Sequence, residues 1–286
     1  MRGVDSPRPG SVAPSASIHT DPERAERVIA RSRRAFDERY PDLKLPPVVA
    51  LISAFEEEAN IGAVLAAVPA EACGLRISTL VIVDGGDDHT DEVSFDSGAV
   101  TFVLTENLGH GYALRVGYAL CIELGAEFVV TLDADGQNDP AEIPTMLQPL
   151  VDDEADFVVG SRRLGHDNTS DLFRKAGVRV FSWVISAMGE TKLTDTSNGY
   201  RALRVLMLED VVHRLMQSQY QTAELLIVCL KRCWRVTERP TMWLPRASGT
   251  TKKGKNYLFG LRYARVVLGT WWRERKGSAH PEASPS

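Results

Sequence analysis

From Val48 onward the chain alternates short β-branched runs with stretches in which apolar residues recur at helical spacing. Val48 to Ser53, Thr79 to Val83, Val100 to Leu104, Phe128 to Leu132 and Phe157 to Val159 read as strands. They are almost continuously apolar, as expected of strands covered on both faces. With helical patterns between them they form a βαβ series, which predicts an α/β fold: a mostly parallel sheet flanked by helices, in one domain. The second half is less regular, with apolar helices around Val178 to Met188 and Ala223 to Lys231, then a strand-like Trp234 to Glu238. No internal repeat interrupts this order.

The ends differ from the middle. Residues 1–19 are rich in Pro, Ser and Gly and are expected to form a disordered tail. Residues 20–45 are expected to be a helical extension: Thr20 and Glu23 suggest a capping box, and Ala25, Val28, Ile29 and Phe36 recur on one face. Residues 46–256 are the main domain, closing on Arg246 to Asn256, a Gly, Ser, Thr and Lys segment expected to be a basic loop. A basic amphipathic helix is expected over 257–276 and a second tail over 277–286. If Lys255 to Lys276 is helical, Lys255, Arg262, Arg265, Arg273 and Lys276 share one stripe, with Phe259, Val266, Val267 and Trp271 mostly opposite. Such a helix suits an anionic membrane surface, or packs on the domain with its basic face in water.

Composition narrows the classes. The 44% hydrophobic content of 286 residues suffices for a sizeable core. A net charge of -5 argues against a general nucleic-acid binder. Cys73, Cys121, Cys229 and Cys233 lack zinc spacing and fit a reducing cytosol. No secretory leader pattern and no apolar run of spanning length stand in the sequence. The expected location is cytoplasmic, with peripheral contact at the inner face of a membrane as the further option.

The candidate chemistry sits at the strand ends, where ligands of parallel sheets gather. Glu57, Asp84, Asn107 and the pair Asp133 and Asp135 each arrive just after a strand. Alternation along an extended chain puts Asp133 and Asp135 on one side, able to share one divalent cation. Asp139, Pro140 and Glu142 read as N-cap, first turn and capping box of the next helix. A solvated turn is the plain alternative. A phosphatase of haloacid dehalogenase type is the rival, but it wants Thr where Gln137 stands.

These pieces, taken with others, bring a family into view. Ile52-Ser-Ala-Phe-Glu-Glu57, Val83-Asp-Gly-Gly-Asp-Asp-His-Thr90, Asn107-Leu-Gly-His-Gly-Tyr-Ala113, Leu132-Asp-Ala-Asp-Gly-Gln137, Val159-Gly-Ser-Arg162, Asp195-Thr-Ser-Asn-Gly-Tyr-Arg201 and Arg246-Ala-Ser-Gly-Thr-Thr-Lys252 occur in order. In this the chain resembles the family-two glycosyltransferases of GT-A fold, in the branch of dolichol- and polyprenyl-phosphate sugar synthases. The resemblance implies that Glu57, Asp84 and Asp133 bind the donor, a UDP- or GDP-sugar. It implies Asp135 as principal ligand and catalytic acid-site residue of a bound Mg2+ or Mn2+, with Asp133 and Gln137 beside it. The glycines of Asn107 to Gly111 would allow close backbone approach near the donor. Ser53, Glu56, Val83, Asp87 and His89 depart from the family pattern, all around the base pocket, and leave the nucleotide open.

The acceptor decides whether a base is needed. A lipid monophosphate is largely ionised at neutral pH, whereas a sugar hydroxyl needs a carboxylate within reach. Asp195 and Glu224 are the catalytic candidates, with a turn acid and a dipole-favoured first-turn glutamate as their plain alternatives. Arg162, Arg174 and Arg246 match positions that gather around the acceptor phosphate in the lipid-phosphate enzymes. The expectation is therefore a metal-dependent, inverting sugar transfer to a polyprenyl phosphate; a soluble small-molecule acceptor, or nucleotide-sugar binding without turnover, are the alternatives.

Overall fold

A computed structural model describes residues 21–167, 172–189, 191–246 and 256–275. The strands are β1 (Val48–Ala54), β2 (Glu71–Ala72), β3 (Leu75–Asp84), β4 (Val100–Leu104), β5 (Phe128–Asp133), β6 (Phe157–Asp167), β7 (Arg201–Arg204) and β8 (Val236–Trp243). The helices are α1 (Pro22–Arg39), α2 (Glu58–Ala67), α3 (Thr90–Asp96), α4 (His110–Glu123), α5 (Ile143–Val151), α6 (Leu172–Gly189), α7 (Val205–Val211), α8 (Gln221–Lys231) and α9 (Asn256–Glu274).

The sheet runs β4-β3-β1-β5-β7-β6-β8, with the short β2 pairing the start of β3. β4, β3, β1 and β5 are parallel, so their carboxyl ends open on one edge. β7 is antiparallel to both β5 and β6, and β8 returns parallel to β6. Side-chain alternation divides the parallel strands between two cores: Val49 and Leu51 join one, Val48, Ala50 and Ile52 the other. Each such buried side chain contributes about 1.5–3 kcal/mol.

The βαβ reading holds through β5, and the differences lie in the second half. β7 was not expected, because Arg201 to Arg204 is four residues long and carries a charge at each end. β8 lies further along the chain than Trp234 to Glu238. β8 contains Pro240, which an edge strand tolerates.

α1 is capped by Asp21, whose carboxylate accepts from the Glu23 amide at 3.2 Å; the expected Thr20 cap lies outside the described residues. Ala25, Val28 and Phe36 are buried, with the Phe36 ring 5.4 Å from Phe102 on β4. Arg24 and Arg33 pair with Glu106 and Glu123 of the domain. In α9, Tyr263, Val266 and Val267 face inward and Arg262 and Arg265 outward. Arg273 departs from the expected basic stripe and turns inward to Glu224 and Glu274. Lys255, Lys276 and the Phe259 side chain lie outside the described residues. Among the described residues no helix is long and apolar enough to cross a membrane.

Candidate active site

Glu57 stands where β1 hands over to α2, almost enclosed. One carboxylate oxygen accepts from Asn60 Nδ2 at 2.7 Å, and the other meets the Arg246 guanidinium. Its amide donates to Thr90 Oγ1 at 2.8 Å, and that hydroxyl binds Asp88, so the ends of β1 and β3 are tied together here. Glu58 holds the His89 amide at 2.9 Å. Ser53 Oγ lies 2.9 Å from His110 Nδ1. Two of the residues that depart from the family pattern, Ser53 and His89, are thus knitted into this end of the sheet.

Asp84 has a different environment from the donor contact expected of it. Its side chain is buried, and its two oxygens accept from the amides of Leu108 and Gly109, each at 2.8 Å. Burial pushes its carboxyl up to about 7, against the pull of those two amides. It clamps the turn between β4 and α4. The glycines of that turn serve the same packing: Gly109 has φ +98°, and a Cβ on Gly111 would collide with the carbonyl oxygen of Gln217. The close backbone approach is therefore to the segment before α8.

β5 ends at Asp133, so Asp135 lies in the following turn and not on the strand's alternation. Its Oδ1 accepts from the Gln137 amide at 3.1 Å, a local loop that fixes the carboxylate. With its side-chain amide oriented to satisfy both neighbours, Gln137 donates to Asp135 Oδ2 at 2.9 Å and accepts from Trp243 Nε1 at 3.0 Å. The Arg246 guanidinium lies 3.7 Å from the same Oδ2 and reaches Glu57 at its other end. Asp139 caps as expected, accepting from the Ala141 amide at 2.9 Å, but what it opens is a short 3-10 turn ahead of α5. Glu142 does not close a capping box; its carboxylate takes the Met242 amide on β8 at 3.0 Å.

On the other side of the sheet edge, Asp195 is buried in a bidentate pair with Arg162: Nε to Oδ2 at 2.6 Å and Nη2 to Oδ1 at 2.8 Å. Burial alone would raise the Asp195 carboxyl, but the hydrogen bonds and charge of Arg162 outweigh it and hold the group below its ordinary range. A carboxylate held in this way is a weak proton acceptor. The Arg162 guanidinium also lies 4.9 Å from the Trp243 ring centroid. Arg162 and Asp195, assigned separate roles from sequence, are one unit.

Glu224 is fully buried at the start of α8, and its placement does not match that of an acceptor base. One oxygen accepts from the amides of Met216 and Gln217, each at 2.9 Å, and the other pairs with Arg273 at 2.9 Å. The carboxylate holds α9 against the segment that abuts Gly111. Arg174 lies in α6, and its side chain is outside the described residues.

Three residues that sequence reasoning did not single out organise this edge. Glu238 on β8 accepts from the Thr194 amide and hydroxyl at 2.8 Å and from the Asp195 amide at 2.9 Å. Arg201 is completely buried and donates to the carbonyls of Asn198 at 2.8 Å, Thr196 at 3.0 Å and Thr222. Trp243 joins the Gln137 turn to Arg162. Arg201 stands inside a quoted motif and was visible there; Glu238 and Trp243 stand in a strand that no motif marks.

The profile of glycosyl transferase family 2 matches residues 49–212, more than half of the chain. The chain belongs to glycosyl transferase family 2. Across 167 residues, 57% of its length, this glycosyltransferase is 31% identical to the UDP-N-acetylglucosamine–dolichyl-phosphate N-acetylglucosaminyltransferase of Methanococcus voltae and spans 66% of that relative. It is 30% identical over 200 residues to the dolichyl-phosphate hexose transferase of Haloferax volcanii, covering 70% of this chain and 84% of that one. Its fold is that of the glucosyl-3-phosphoglycerate synthase from Mycobacterium tuberculosis solved with Mn2+ and UDP-glucose. The TM-score is 0.59 at 15% identity, over 96% of this chain and 86% of that one. The sheet flanked by helices is thus a GT-A fold.

Proposed function

We propose that this glycosyltransferase moves a sugar from a nucleoside-diphosphate sugar to a polyprenyl phosphate, with inversion at the anomeric carbon. The observation that carries the proposal is the state of the two candidate bases. Asp195 is locked to Arg162 with its proton affinity lowered, and Glu224 is enclosed by Arg273 and two backbone amides. A hydroxyl acceptor would need one of them to take its proton. A phosphate monoester, with its second pKa near 6, brings its own negative oxygen. The two relatives above are named for dolichyl-phosphate acceptors, which supports this reading.

In the step, an acceptor phosphate oxygen forms a bond to the anomeric carbon as the bond from that carbon to the donor diphosphate breaks. The electron pair leaves on the nucleoside diphosphate, and no proton has to move. Asp135 and Asp133 would hold a Mg2+ or Mn2+ whose charge would neutralise the leaving diphosphate, while Gln137, expected as a third ligand, turns its amide nitrogen to Asp135 and its oxygen to Trp243 and so positions that carboxylate. The donor set fits: Asp133 ends β5 and Asp135 stands two residues on, its carboxylate fixed by the Gln137 amide at 3.1 Å. One or two carboxylates completed by substrate phosphates is how such a cation is commonly held, without a closed protein cage. Glu57 borders the nucleoside side. Arg246, expected at the acceptor phosphate, is shared between Glu57 and Asp135 and would meet a phosphate there with its fork of donors. The enzyme works as a peripheral protein at the inner face of the membrane.

The test is turnover of a panel of UDP- and GDP-sugars with Mn2+, with and without a short-chain polyprenyl phosphate, following release of nucleoside diphosphate. Release that requires the lipid phosphate is expected. Equal release with a soluble hydroxyl compound would overturn the acceptor assignment.

A further inference from the structure

We infer that the outer faces of α6 and α9 form one surface that seats the protein on an anionic lipid bilayer. This goes beyond the acceptor reading, which concerns the phosphate and not the surface that meets the membrane, and it rests on that reading only for its orientation.

Among the described residues, four of the nine exposed large apolar side chains, including both exposed tryptophans, lie on these two helices. On α6, Val180 is 57% and Trp183 73% exposed; on α9, Leu268 is 56% and Trp272 61% exposed. The positions obey helical spacing. Val180, Trp183 and Ala187 form one outward stripe, and Arg265, Leu268, Trp272 and Arg275 form the other. Both helices already bury their inner faces: Ile185 on α6, and Tyr263, Val266 and Val267 on α9. The outward residues are therefore surplus to the core.

The two stripes adjoin. Trp183, Val184, Ala187 and Met188 of α6 line a cleft of about 410 Å3 together with Trp271 of α9 and Lys231 at the end of α8. The Arg275 guanidinium lies 4.6 Å from the Trp271 ring centroid, and Lys231 Nζ lies 5.9 Å from it. Among the described residues of the two helices and Arg275, every exposed charge is a cation: Arg179, Arg262, Arg265 and Arg275. The one acid, Glu274, is buried against Arg214 and Arg273. Exposed tryptophans on helices whose described exposed charges are all arginines match a headgroup layer that carries negative charge over hydrocarbon. A water-facing helix would have no reason to keep two tryptophans outward while excluding acids.

The same helices touch the acceptor loop from inside. Ser182, next to Trp183, takes the Thr196 amide at 3.2 Å, and the Tyr263 hydroxyl faces the Thr196 carbonyl at 3.5 Å. Thr196 follows Asp195. A bilayer resting on Trp183 and Trp272 is thus about one helix diameter, ~10 Å, from the loop that positions the Arg162–Asp195 pair.

The full chain is mixed with vesicles of phosphatidylcholine containing increasing phosphatidylglycerol and no polyprenyl phosphate, and bound protein is measured by co-sedimentation. Binding is expected to rise with phosphatidylglycerol, to weaken about tenfold in Trp183→Ser/Trp272→Ser, and to fall similarly in Arg265→Glu/Arg275→Glu. All four substitutions are at exposed sites, and thermal unfolding checks that the variants remain folded. Absence of binding at every phosphatidylglycerol content, or equal binding by the Trp variant, would overturn the inference. So would concentration-dependent dimerisation lost in that variant without vesicle binding, since the face would then seat a second copy. Turnover with a short-chain polyprenyl phosphate in detergent is run beside it; that assay decides the acceptor reading alone, so the two can fail separately.

Discussion

The proposed donor edge and the proposed acceptor edge of this sheet use the same residue types, acids and arginines, but tie the acids differently. At the donor edge, Asp135 is held by a neighbouring amide and by Gln137, with Arg246 at 3.7 Å. At the acceptor edge, Asp195 and Glu224 are buried and paired with Arg162 and Arg273 at 2.6 and 2.9 Å. Under the proposed function, the first arrangement is the one that a cation and a diphosphate would engage. The second uses up the charge in holding loops together. The difference teaches that an acid in a family motif is chemically available only where its counter-charge is exchangeable.

The comparison is broken most severely at Asp135. Asp135→Ala should reduce metal-dependent turnover by about a thousandfold or more, the several kcal/mol a Lewis-acid cation supplies, with thermal unfolding nearly unchanged. Retained activity would mean that the cation is held elsewhere. Arg162→Ala should do the reverse, costing about 3–5 kcal/mol of stability in urea unfolding because it strands a buried carboxylate. A stability close to the parent's would show that Asp195 is not neutralised by this pair.

Glu224→Gln sharpens the contrast on a smaller scale. It should lower stability by about 1–3 kcal/mol while kcat with a phosphate acceptor stays within a few-fold. A kcat loss of about a hundredfold at unchanged stability would make Glu224 a base after all. The effect at Asp84 is read only as a change with pH. Its folded-state carboxyl at about 7 lies above its ordinary value, so its contribution to stability is complete below about pH 4 and is lost as pH rises to about 7. Comparing urea unfolding of the parent and Asp84→Asn across that window should show the difference between them drifting by no more than about 1.4 kcal/mol per pH unit. A constant difference would mean that the Leu108 and Gly109 amides keep Asp84 ionised throughout.

The strands β1, β3, β4 and β5 were legible because each is an apolar run between turn residues, and parallel strands buried on both faces must be written that way. Asp135 and Gln137 were legible because they follow such a run directly. β7 was not, since four residues with a charge at each end carry no periodicity, and Arg201 is buried only because three carbonyls converge on it. Glu142 follows its cap signal in sequence, yet an amide 100 residues away takes its carboxylate. Trp272 adjoins Trp271 at the end of the expected basic helix, but which way it faces depends on how α9 packs on α6 and α8.

The amino-acid sequence by itself determined the βαβ order, the family and the place of Asp133 and Asp135 at the end of β5, because these depend on local periodicity and on residues adjacent in the chain. Tertiary structure alone decided which acids keep an exchangeable charge. The partners that neutralise Asp195 and Glu224 lie 33 and 49 residues away, and only the folding of β6 and α9 onto this edge brings those arginines within hydrogen-bond distance.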